Sequence, residues 1–476
     1  MLRKLLSHAA IYGLAAQVPR LAGVLTLPII TQYLTTTDYG VAGVVTAYVT
    51  ALNMVHSLGL SVVMVNSFAR YPTRYKWVWR QLQGFLSVWS VVYSLLLGLV
   101  LWWGIPAEAA ENKWELVLLN VLPVALFSGT ELQAGLFFQM SQRPLPVALK
   151  SFVVGVLVVL LNIYTIAVLR MGYMGWFYSN FAGVTVGSLL YGYLLYSREK
   201  LWPIFNFKWH RIKASLRTSL PMVPHNFSFF LLDTSDKLVM DLLRVPVPRI
   251  GFYNLASSFG IYFMAASSAI VQASAPFYMR YYAQAKDKGS ALKARSMTFM
   301  LQALFLTVTF LLGLWMKELF IMLIRNEALQ AAYPLAIIIL MGYNFRPMYL
   351  GAANQLVYRE HTRVMWKVSA VAGVGNLVLN IILIPIYGIE AAAFTTFAAL
   401  MYMGYSGYQL KEYKQVTQVN YYPWLWLTLT VLALLVVYLL AEVSLEVKVV
   451  ATAFVSMLGA AAIYVINENT TKVAGT

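Results

Sequence analysis

The chain has 476 residues, of which 60% are hydrophobic and 11% charged, with a net charge of +17 and no cysteine. A soluble domain carries about 25% charged residues, so this composition excludes a soluble globular protein, and the missing cysteines exclude disulfides and thiol chemistry. The positive charge does not point to nucleic acid, because the basic residues sit in short gaps between apolar stretches rather than on one amphipathic face.

Those apolar stretches are about twenty residues long, the length that crosses the hydrocarbon core as a helix, and about fourteen occur. The pattern predicts spans at 8–31, 41–66, 81–104, 116–140, 148–169, 172–196 and 219–240, then at 250–275, 296–316, 330–352, 365–386, 389–409, 423–441 and 448–466. Arg3 and Lys4 precede the first span, so the N-terminus is placed inside. Every second gap is then basic: Arg70 to Arg80, Arg143 with Lys150, Arg198 to Arg217, Arg280 to Arg295, Arg359 to Lys367, and Lys411 with Lys414. The other gaps hold only Lys113, Arg170, Arg244, Arg249, Lys317 and Arg325, and one carries Glu108, Glu111 and Glu115. Basic residues concentrate on the cytoplasmic side, so both termini are expected there. Arg20 interrupts the first apolar stretch and no small-residue cleavage pattern follows, so it reads as a span rather than a cleaved leader.

Punctuation residues recur at a fixed interval. Asp38-Tyr39-Gly40 opens the second span, and Arg249-Ile250-Gly251-Phe252-Tyr253 stands at the same place later; Gly40 and Gly251 are 211 residues apart, as are Pro123 and Pro334. Asn162 and Asn380 are 218 apart, each followed by a glycine turn at Gly172 or Gly388. The chain therefore reads as a six-helix bundle at 1–200, a basic cytoplasmic linker at 201–218, a second six-helix bundle at 219–415, and an accessory helix pair with a cytoplasmic tail at 416–476. Two such halves keep the same orientation, and transporters built this way bind substrate between them and alternate access. Spans 13 and 14 read as carrying no buried charge.

No Gly-x-x-x-x-Gly-Lys-[Ser/Thr] loop occurs, which excludes ATP hydrolysis by this chain. His8, His56, His210, His225 and His361 show no metal-ligand spacing. No soluble catalytic domain is present, so the chain reads as a transporter rather than an enzyme, with no cofactor.

Charges within spans carry the functional reading, because each costs a few kcal/mol unless it faces a polar cavity or a partner. Arg20 sits mid-span beside Pro19 and reads as a cation lining a lumen, or as an ion-pair partner of Glu131. Arg346 precedes Pro347 in span 10 and reads as a second lumen cation, or as a side chain reaching the inner interface. Glu131 reads as a proton or sodium coupling site, or as the partner of an arginine. Asp233, Asp236 and Lys237 cluster in span 7; Asp233 and Lys237 are four apart, share a helix face and can neutralise each other, or the group serves as a gate. His56 and His225 read as packing residues.

Several short motifs then resemble one family. Leu27-Pro28, Tyr33-Leu34, Asp38-Tyr39-Gly40 and Ser57-Leu58-Gly59-Leu60 look like the opening of a bacterial polysaccharide or O-antigen flippase of the multidrug/oligosaccharidyl-lipid/polysaccharide (MOP) exporter superfamily. Leu220-Pro221, Asp236-Lys237 and Gly251-Phe252-Tyr253 resemble the opening of that family's second half. Asn380, Ile384-Pro385, Gly388 and Ala391-Ala392-Ala393 resemble its eleventh and twelfth spans. The resemblance implies two six-helix bundles in a V around a central cavity, in the bacterial inner membrane. It implies movement of an undecaprenyl-pyrophosphate-linked oligosaccharide from the inner to the outer leaflet, with Arg20 and Arg346 suited to the pyrophosphate. It also implies coupling to a proton or sodium gradient, and partners among membrane lipids, a polysaccharide polymerase and glycosyltransferases. A peptidoglycan-precursor flippase would share this frame. A multidrug antiporter of the superfamily would favour acidic lumen residues and twelve spans, and an intramembrane glycosyltransferase would need a long outer loop.

Overall fold

The computed structural model describes residues 18–71, 73–283, 288–359 and 364–474, and among them there are helices and no strand. In chain order the main helices are α1 Val18–Ile30, α2 Thr36–His56, α3 Leu60–Arg70, α4 Tyr75–Gly104, α5 Lys113–Met140, α6 Pro144–Asn162 and α7 Tyr173–Gly192. They continue with α8 Trp209–Ser219, α9 Val223–Asp233, α10 Ser235–Leu242, α11 Val247–Ala283, α12 Lys288–Leu314 and α13 Met316–Leu323. The last are α14 Tyr333–Gly342, α15 Phe345–Tyr358, α16 Met365–Tyr387, α17 Ile389–Tyr405, α18 Pro423–Leu440 and α19 Leu445–Ala474.

Each expected span falls largely on helix among its described residues, with breaks at 57–59, 234 and 343–344. Among the described residues eight helices are long and apolar enough to cross a membrane, or nine if α2 and the segment Leu60–Phe68, bent by 46°, form one span. The count of fourteen therefore does not follow from length and composition alone. The five remaining spans are α1, of which only Val18–Ile30 is described, the short α17, the broken pair α9 and α10, and α7 and α11, whose polar residues lower their hydropathy. Those polar residues line the sites described below.

By its contacts the chain divides into two compact units: Met1–Phe230 with Met240–Gly251, and Leu231–Val239 with Phe252–Thr476. In the first, α4 packs on α5, α5 and α6 pack on α7, and α1 packs on α6. The segment expected as a basic cytoplasmic linker packs on this unit: Leu201 and Ile212 are buried, and Ile204 N–H donates to the Arg80 carbonyl at 2.9 Å. In the second unit α16 packs on α17, α12 packs on α15, and α14 packs on α17.

The expected accessory pair belongs to the second unit, and α19 lies along α12. It also carries a buried charge, contrary to expectation. Lys448 is fully buried and donates to Glu318 at 2.6 Å and to the Ala441 carbonyl at 2.7 Å. Its place at the edge of an apolar run makes it read as an interfacial residue, yet the α13 carboxylate draws it inward.

The two glycine turns noted in the sequence share one backbone conformation. Gly172 and Gly388 each precede a helix in the left-handed half of φ space, at φ 53°, ψ −136° and φ 76°, ψ −158°. Only glycine adopts such angles without strain. Asp38 fixes the first of these turns: it forms a capping box with Thr35 at the start of α2 and accepts from Tyr173 N–H at 2.8 Å.

Candidate functional site

Arg346 stands at the start of α15, just after the helix is interrupted at Tyr343 and Asn344. Pro347 falls in the first turn of α15, where a missing N–H costs little. Asn344 covers the break by donating to the Met341 carbonyl at 3.0 Å and to Thr309 Oγ1 at 2.7 Å.

The half-buried Arg346 side chain reaches α11. Its Nη1 donates to the Met264 carbonyl at 3.1 Å, to Ser267 Oγ at 3.0 Å and to Ser268 Oγ at 3.5 Å. Both serine hydroxyls already donate to the Met264 carbonyl, so their oxygens are left to accept. Among the described residues Nη1 carries all the hydrogen bonds of this guanidinium, which leaves Nε and Nη2 for a ligand. The Asp233 carboxylate acts on it as a nearby opposite charge.

Asp236 is buried in the same unit, in the first turn of α10, where the helix dipole favours an anion. One oxygen accepts from Asn376 Nδ2 at 2.9 Å and Asn380 Nδ2 at 2.6 Å. The other accepts from Thr396 Oγ1 at 2.7 Å and from the Tyr253 hydroxyl. Thr395 in turn donates to Asn380 Oδ1. Four donors fill the four acceptor positions of a carboxylate. Lys237, also buried, is held beside this negative charge.

A break in the helix falls between Asp233 and Lys237: one helix ends at Asp233 and the next starts at Ser235. Asp233 is exposed, and Asp236 is the charge that acts on Lys237.

Glu131 belongs to the first unit, and among the described residues its ion-pair partner is Lys150. Lys150 Nζ donates to Oε2 at 2.9 Å and Ser188 Oγ donates to Oε1 at 2.8 Å. Lys150 was expected in a loop; it lies on α6 and turns toward α5. Arg20 is in α1, and its side chain lies outside the described residues, as does that of His225. His56 is buried, with Nε2 2.9 Å from Ser90 Oγ. Ser90 gives its proton to the Leu86 carbonyl, so the imidazole is the donor to Ser90 Oγ. Among the described residues no group of three or more His, Cys, Asp or Glu stands together to hold a metal ion.

Sequence reasoning missed Asn376 and Thr396 as partners of Asp236, and Lys150 as the partner of Glu131. Tyr253 and Asn380 were visible as motif residues, without a role.

A family model described as "Polysaccharide biosynthesis protein" matches residues 5–282. The chain belongs to that family. No curated protein sequence gives a significant match. The fold is that of MOP-superfamily transporters. A mutant of the Vibrio cholerae MATE transporter VcmN matches with a TM-score of 0.55 at 15% identity, over 88% of this chain and 99% of that one. The lipid II flippase MurJ in an inward closed conformation matches with a TM-score of 0.55 at 14% identity, over 91% of this chain and 96% of that one. An inward-facing multidrug resistance MATE family transporter of the superfamily matches with a TM-score of 0.51 at 16% identity, over 84% and 93%. This polysaccharide biosynthesis protein is therefore a multi-pass membrane protein with the fold of transporters.

Proposed function

We propose that this protein is a flippase that moves an undecaprenyl-pyrophosphate-linked oligosaccharide repeat unit, such as an O-antigen unit, from the cytoplasmic to the outer leaflet of the bacterial inner membrane by alternating access. The observation that carries the reading is Arg346. Its guanidinium is half-buried in a candidate membrane span and held at one nitrogen by α11, and its other nitrogens donate to none of the described residues. A planar fork can grip phosphate oxygens at two points and stays charged when partly dehydrated. Family membership supports a polysaccharide precursor as the cargo. Arg20 is assigned the same role by its place in α1. Transport is powered by a proton or sodium gradient, with Asp236 and Lys237 as the coupling group. A polymerase and glycosyltransferases act before and after it on the same lipid carrier.

Export of the lipid-linked sugar tests this, measured with membrane abundance. Arg346→Gln reduces export at least tenfold at normal abundance, and Arg346→Lys retains part of it because charge remains while the fork is lost. Normal export by Arg346→Gln would remove the phosphate role.

A further inference from the structure

The first unit contains a cavity of about 500 Å³ walled by α2, α5 and α7. Each helix contributes one asparagine to it: Asn53, Asn120 and Asn180. Asn53 and Asn180 are exposed, and Asn120 spends one N–H on the Leu116 carbonyl at 2.8 Å. Glu131 is also in the wall, with its charge matched by Lys150, and Phe127 and Phe181 supply apolar faces.

A side-chain amide in a membrane-spanning helix is unfavourable unless something polar answers it. Three amides from three helices converge here. The site carries no uncompensated positive charge among the described residues, so it is a poor receptor for pyrophosphate. Each amide offers both donors and an acceptor, as does each hydroxyl of a sugar. A neutral carboxylate–lysine pair can accept further hydroxyl protons. Phenyl rings suit the apolar C–H face of a pyranose. The volume is within the range of small-ligand pockets, about 300–1,000 Å³.

We infer that this cavity is a sugar subsite, taking an uncharged hexose or acetamido-hexose of the cargo through Asn53, Asn120 and Asn180. The inference rests on the flippase reading for the rest of the substrate, and it adds sugar recognition at the three asparagines to the phosphate recognition assigned to Arg346 and Arg20.

The test is binding of two probes to the purified full-length protein in nanodiscs: undecaprenyl pyrophosphate, and the same carrier bearing one N-acetylglucosamine. The wild type is expected to bind the sugar-bearing probe about tenfold tighter. In the double variant Asn53→Leu, Asn180→Leu the two affinities come within twofold of each other, while affinity for the bare carrier stays at the wild-type value and reports an intact fold. Arg346→Gln weakens both probes and keeps their ratio. A wild-type ratio near one, an unchanged ratio in the double variant, or loss of the bare carrier by that variant overturns the sugar subsite alone. Binding of neither probe by the wild type overturns the flippase reading, and the subsite with it.

Discussion

Lys150 on α6 donates to Glu131 on α5 at 2.9 Å, and the two side chains are about one-quarter exposed, at 21% and 26%. The ammonium also lies 5.0 Å from the centre of the Tyr191 ring. An acidic residue that looks available for ion coupling is thus already neutralised, and a basic residue that looks cytoplasmic is inside the helix bundle.

Breaking this pair from one side leaves the other charge partly desolvated. Glu131→Gln and Lys150→Met are each expected to cost about 1–3 kcal/mol, between the limits for exposed and buried pairs. The double variant should recover part of that, because no orphan charge remains. Thermal unfolding of the four proteins in detergent measures the coupling. Strict additivity would mean that the two charges act independently.

Asp236 behaves differently, because its four donors need an anion. Asp236→Asn turns an amide N–H₂ toward two of them, and is expected to cost about 1–3 kcal/mol. It should also abolish the acceleration of export by an imposed proton or sodium gradient in vesicles. Thr396→Val removes a single donor, costs about 1 kcal/mol and keeps the gradient response. A full gradient response in Asp236→Asn would move the coupling group elsewhere.

The sequence made the helices legible and hid their interruptions. Hydropathy located the described spans because apolar length is a local property. The breaks at Thr234 and at Tyr343 with Asn344 were not legible, since the apolar pattern runs on through them. Asp236 and Asn380 were legible as punctuation but not as partners, because 144 residues separate them and only the fold brings them together. Lys150 and Lys448 were misplaced for one physical reason. Each lies near the end of an apolar run, where a lysine ordinarily reaches water, and each is turned inward by a carboxylate on a neighbouring helix.

The loop charge bias predicts an orientation that can be measured directly. Reporters fused after residue 210, after residue 290 and at the C-terminus are expected to read cytoplasmic, and reporters inserted near residue 110 or 325 external. A C-terminus that reads external would require an odd number of spans and would contradict the repeat.

Within the first unit Gly40 on α2 meets Gly251 on α11. A Cβ on Gly40 would strike the carbonyl of Val247, four residues before Gly251. A Cβ on Gly251 would strike the carbonyl of Thr36, four residues before Gly40. The contact is reciprocal, each glycine lying against a backbone carbonyl in the first turn of the other helix. Small residues let backbones approach this closely in a membrane, where packing rather than water drives helix association. Gly40→Ala and Gly251→Ala should therefore each cost about 1–3 kcal/mol, because the obstructing atoms are backbone and cannot swing aside. Gly135→Ala and Gly375→Ala are the matched controls: nothing lies within 4 Å of a Cβ at either site. Those two should be neutral or stabilising by up to about 1 kcal/mol, since alanine is the better helix former. Membrane abundance and melting temperature of the four variants decide the matter. If Gly40→Ala and Gly251→Ala melt with the controls, the helices do not cross at these glycines.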